Sequence, residues 1–141
     1  MVLKTVLVAL DSSPLTEQVV GALEQLQLQP TTQVILAHVI HSVTSDFERV
    51  ADRPSTISEE IPYRHIEKQL ETYQGQLSCP TQLEIVTGEP AEEIIRLANI
   101  HKAELIVIGS RGLTGLNRIL QGSVSSQVVS EAPCSVFVVK P

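Results

Sequence analysis

Residues 103–110, AELIVIGS, form the least interrupted apolar run in the chain, and VLKTVLVA at 2–9 and QVILAHVI at 33–40 come close to it. A strand with one wet face alternates apolar and polar residues, so runs this apolar belong to strands covered on both faces, as in a parallel sheet between helical layers. Stretches of helical spacing lie between them. Ser13 can cap a helix with Pro14 in its first turn and Leu15, Val19, Ala22, Leu23 and Leu26 on one face, running to about Leu28 ahead of Pro30. Ile66, Leu70, Tyr73 and Leu77 give a second helix that stops before Pro80, and TQLEIVTG at 81–88 alternates as a strand nearer an edge does. Pro90, followed by Glu92 and Glu93 where the helix dipole favours acids, opens a third helix buried along Ala91, Ile94, Ile95 and Ala98. Val124, Val128 and Ala132 mark a fourth, before Pro133 and the last strand, SVFVVK at 135–140.

Five strands alternating with four helices in 141 residues predict one doubly wound α/β domain over 1–141, its parallel strands joined by right-handed crossovers. Residues 41–62 carry no sustained period and read as a long loop or a partly helical lid. A net charge of −6 and a pI near 5.1 exclude the basic face that nucleic acid or an anionic membrane needs, and 3% aromatic content leaves no row of stacking rings. No run approaches the roughly 20 apolar residues of a membrane span. The opening MVLKTVLVALDSS, broken by Lys4 and ended by Asp11, lacks the features of a signal peptide. Cys79 and Cys134 stand apart without metal-site spacing, so a reducing cytoplasm is expected, with neither a disulfide nor a zinc site.

Gly109, Gly112, Gly115 and Gly122 place four of the seven glycines within fourteen residues, directly after the most apolar strand. Residues without Cβ let backbone N–H groups approach a ligand and form a concave anion nest. Gly122, Ser123, Val124 and Ser125 precede the pattern of the last helix, whose free N–H groups and positive dipole end favour the same anion. Arg111 and Arg118 fall in the same stretch, which has no acid from Gly109 to Val129. The pattern is not a GxxxxGK[ST] loop, and it lacks the GxGxxG of a dinucleotide fingerprint.

Read as G109-x2-G112-x9-G122-S123, the spacing resembles the ATP-binding signature of the universal stress protein family. LVALDSS after the first strand, AHVI in the second, and GSRG, QGSVS and EAPCSVFVV near the end are similar to the family too, with 41–80 the weakest stretch. The resemblance implies an adenine nucleotide alpha hydrolase-like fold with strand order 3-2-1-4-5. It implies an adenine and ribose side at Ala9, Asp11 and the Val39 backbone, and a phosphate side at Gly109, Gly112, Gly122, Ser123 and Ser125. Ser110, Arg111, Leu113, Thr114, Gly115 and Val124 complete the wall. The ligand would be ATP, or ADP or AMP, with Mg²⁺ held through the phosphates and no protein metal ligand. A homodimer through the apolar edge strand 135–140 is expected.

Plainer roles stand beside these. Asp11 can be a turn residue and Ser123 and Ser125 helix caps, each worth about 1 kcal/mol. Loop arginines such as Arg111 and Arg118 are commonly solvated. His38, in an apolar strand, reads as a hydrogen-bonded core histidine, and His41, His65 and His101 as solvated. No residue is assigned a catalytic role, so the leading expectation is a nucleotide-dependent regulatory module in the stress response. The alternative is a slow ATPase or self-phosphorylating enzyme, with Asp11 holding Mg²⁺ or orienting water and Ser123 or Ser125 accepting phosphate. An FAD-type cofactor is a more distant reading, and an ATP pyrophosphatase is disfavoured because ALDSS lacks the glycine pair of an SGGxDS loop.

Overall fold

The computed structural model describes residues 3–11, 15–41, 55–110 and 123–141, the side chains of 55–62 excepted. Its elements are β1 (Thr5–Ala9), α1 (Thr16–Gln25), β2 (Gln33–His41), α2 (Ser55–Gln74), β3 (Thr81–Gly88), α3 (Pro90–His101), β4 (Leu105–Gly109), α4 (Ser123–Glu131) and β5 (Ser135–Val139). The strands form one parallel sheet in the order β3-β2-β1-β4-β5, as the resemblance implies.

Successive strand residues point to opposite faces, so each apolar run supplies two cores. Val6, Val8, Leu10, Val34, Leu36 and Val107 face α1 and α2, where Val19, Leu23 and Leu70 cover them. Leu7, Ala9, Ile35, Ala37, Val39, Ile106 and Ile108 face α3 and α4, under Ile94, Leu97, Ala98 and Val128. β3 and β5, at the two edges, are mostly only partly buried.

Several boundaries differ from the sequence reading. Residues 55–62, part of the segment read as a long loop or a partly helical lid, form the first turns of α2 even though Pro62 removes a helical donor. Helix α1 begins at Thr16, with Leu15 at the cap position, and ends at Gln25 because Gln27 takes a left-handed φ of 52°. The proposed cap Ser13 lies outside the described residues. Helix α4 starts at Ser123, which puts Ser123 and Ser125 inside its first turn and not ahead of it.

Gly88, where β3 turns into α3, has φ +156°, and a Cβ there would sit 2.9 Å from the Glu93 Cγ. That carbon is one bond from the helix-anchored Cβ and has little freedom to swing away. Gly88→Ala is therefore expected to cost about 1–3 kcal/mol, from backbone strain plus the clash. Urea unfolding of the two proteins measures it.

Candidate functional site

In an open parallel sheet a crevice forms where adjacent strands send their connections to opposite faces. Here that point lies between β1 and β4, paired from Val6↔Leu105 to Ala9↔Ile108. After β1 the chain passes to α1 on one face, and α4, which follows β4, packs on the other. Ala9, Asp11 and Gly109, drawn from two distant segments, line one cleft there with Leu10, Leu15, Thr16 and Val19.

Of the remaining predicted residues, Val39, Ser110 and Ser123–Ser125 lie among the described residues. Ser110 continues past β4, held by its N–H to the Val139 carbonyl at 2.9 Å. Ser125 is buried, and its hydroxyl donates to the Ser110 carbonyl at 3.3 Å, tying the first turn of α4 to the end of β4. Ser123 is exposed and Val124 partly buried. Arg111, Gly112, Leu113, Thr114, Gly115 and Gly122 lie outside the described residues, as does Arg118.

Val39 is placed by the backbone. Gln33 N–H donates to Lys4 and Ala37 C=O accepts from Leu10, so odd-numbered residues of β2 aim their N–H and C=O groups at β1, while Val34 N–H donates away from it to Pro80. Continuing that alternation, Val39 directs both groups toward β1 beyond its last paired residue, Ala9. A peptide edge of one donor and one acceptor thus faces the side of the crevice.

Two contributors escaped the sequence reading. The Thr16 hydroxyl donates to the Asp11 carbonyl oxygen at 2.6 Å, with Asp11 Oδ1 at 3.0 Å, so the start of α1 braces Asp11. His38, expected to be a hydrogen-bonded core residue, is partly buried near the end of β2, close enough to Asp11 and the Leu10 backbone to feel both. Burial pushes its pKa below 6.5, against the opposing pull of Asp11 and the Leu10 backbone.

The native fold thus favours neutral His38, whereas the unfolded chain takes up a proton near pH 6.5. The unfolded state binds more protons just below that pH, so the contribution of His38 is complete above it and is lost as pH falls toward the folded value. His38→Gln is expected to flatten the fall in urea midpoint between about pH 7.5 and about pH 5.

The other histidines correct the solvated reading in part. His101 is mostly buried and its Nε2 lies 2.8 Å from Glu84 Oε2, joining the end of α3 to β3. His41 pairs with Glu89 at 3.5 Å, and His65 is exposed as expected. Among the described residues there is no cluster of three metal-ligating side chains, and no helix is long and apolar enough to cross a membrane.

A family model for the universal stress protein family matches residues 3–140. The chain belongs to the universal stress protein family. The universal stress protein Sll1388 of Synechocystis is 30% identical, with 96% of each chain covered. Universal stress protein MJ0531 of Methanocaldococcus jannaschii is 53% identical over 57 residues, which is 40% of this chain and 34% of that protein, so the match spans about a third of that relative. Among solved structures, MJ0577 superposes with a TM-score of 0.71 at 30% identity, covering 98% of this chain and 96% of that one. Two universal stress proteins with the same fold carry nucleotides. One, in complex with cAMP, has a TM-score of 0.71 at 21% identity over 99% and 98% of the chains. The other, from Arabidopsis thaliana with AMP bound, has a TM-score of 0.69 at 22% identity over 97% and 91%.

Proposed function

We propose that the chain binds an adenine nucleotide, ATP or its di- or monophosphate, across the ends of β1, β2 and β4, and acts as a nucleotide-dependent regulatory module in the stress response. The observation that carries this reading is the convergence of Ala9, Asp11 and Gly109 on one cleft at the point where strand order reverses. The cAMP and AMP complexes of two family members support the ligand class.

Adenine carries an amino donor beside a ring-nitrogen acceptor, the complement of a peptide C=O and N–H, and Val39 presents such an edge. Guanine, with a carbonyl acceptor and a ring N–H donor in those places, reverses the pattern. The Asp11 carboxylate, on the β1 side of the cleft, suits the ribose hydroxyls. The phosphates would run toward Gly109 and Ser110 and the first turn of α4, where the positive end of the helix dipole favours an anion. Gly112, Gly115, Gly122, Arg111, Leu113 and Thr114 would complete this wall, and Mg²⁺ would be held by the phosphates.

Heating the protein with ATP, ADP, AMP and GTP in turn tests the reading. The adenine nucleotides are expected to raise the melting temperature and GTP to leave it nearly unchanged, since only a ligand of the native state stabilises. No shift with any adenine nucleotide would refute it. For assembly we propose a homodimer through β5, supported by Val136, Phe137 and Val138 lying only partly buried on an edge strand. A monomeric mass by light scattering would contradict it.

A further inference from the structure

We propose that Ser125 is a positioning residue for the phosphate end of the site, holding the first turn of α4 against the chain as it leaves β4, and that its hydroxyl does not itself meet the phosphate. The inference rests on the nucleotide reading above and divides between two serines a role that the family resemblance gives to both.

Burial and helix geometry separate Ser125 from Ser123. Val128, three residues after Ser125, is fully buried in the core with Ile106 and Ile108, so the face of α4 that carries Ser125 and Val128 is the one packed on the sheet. Ser125 itself is only 7% exposed. Residues two apart on a helix project about 200° from each other, which sends Ser123 to the outer side, where it is exposed.

The buried hydroxyl has a partner in the backbone. A serine hydroxyl carries one proton, and that of Ser125 goes to the Ser110 carbonyl at 3.3 Å. Ser110 is held on its other side by its own N–H, which donates to the Val139 carbonyl at 2.9 Å. Because Ser110 follows Gly109, which lines the cleft, the residue where the phosphates would pass from β4 toward α4 is fixed from two directions. A Ser125 hydroxyl turned onto a phosphate would release the Ser110 carbonyl and leave that hydrogen bond unmade beside an anion. Removing the hydroxyl has the same cost and also frees the amino end of α4 to move off the end of β4.

Calorimetry with ATP and with adenosine on the wild type and Ser125→Ala tests the proposal, since adenosine fills the base and ribose side without a phosphate. ATP is expected to bind Ser125→Ala about three- to tenfold more weakly, the value of one hydrogen bond, and adenosine to bind both proteins alike. Equal ATP affinity in the two proteins, or matching losses for ATP and adenosine, would overturn the proposal. Wild type that binds neither ligand would instead remove the nucleotide reading beneath it.

A crystal structure of the wild type with ATP separates positioning from direct contact, and it does so whether or not Ser125→Ala folds. Ser125 Oγ is expected to stay on the Ser110 carbonyl, with the phosphates out of its reach. An Oγ turned onto a phosphate would overturn the proposal.

Discussion

Asp11→Ala is expected to weaken AMP binding about 10- to 100-fold, because a carboxylate hydrogen bond to a sugar hydroxyl is worth roughly 1.5–3 kcal/mol. Asp11 also interacts with Thr16, so part of any loss could come from a looser start to α1. Thr16→Val separates the two effects. It removes the hydroxyl that braces Asp11 but leaves the carboxylate, and is expected to cost no more than about threefold in affinity. Calorimetry with AMP on the three proteins measures both numbers. Equal losses in the two variants would assign Asp11 to the helix start and not to the ligand.

Ile106→Ala should produce the largest loss of stability. Ile106 is fully buried on an interior strand of the sheet, in the core shared with α3 and α4. Its strand pairs with both β1 and β5, so the surroundings cannot collapse without disturbing two ladders. Truncation is expected to cost about 2–5 kcal/mol, the lost transfer energy plus the cavity left behind. Urea unfolding checks it. Because β4 ends in Gly109, at the crevice, nucleotide affinity should fall along with stability in this variant.

How legible these features are in the sequence depends on how local their causes are. The strands 33–40 and 103–110 declare themselves because burial on both faces leaves no polar alternation to misread, and the order 3-2-1-4-5 came with the family resemblance. The start of α2 was hidden because residues 55–62 carry no apolar period and Pro62 mimics a break, although the chain continues as helix into the packed face at Ile66 and Leu70. His101 looked solvated because its partner, Glu84, is 17 residues away on β3 and only sheet packing brings them together. At the site, Ala9 and Asp11 came with the family resemblance, while Gly109 was also readable from the glycine spacing after the most apolar strand. The roles of Thr16 and His38 were not, since one depends on how α1 folds back on Asp11 and the other on the register of β2 against β1.

An adenine nucleotide lying across the carboxyl ends of β1, β2 and β4 would perturb the amides at that end of the sheet first. Titrating AMP into ¹⁵N-labelled protein tests it directly, amide by amide. Shifts are expected on Ala9, Asp11, Val39, Gly109, Ser110 and Ser123–Ser125, with Thr5, Gln33 and Leu105 at the opposite end of the sheet unmoved. Shifts centred at that opposite end, or none at saturating AMP, would contradict it.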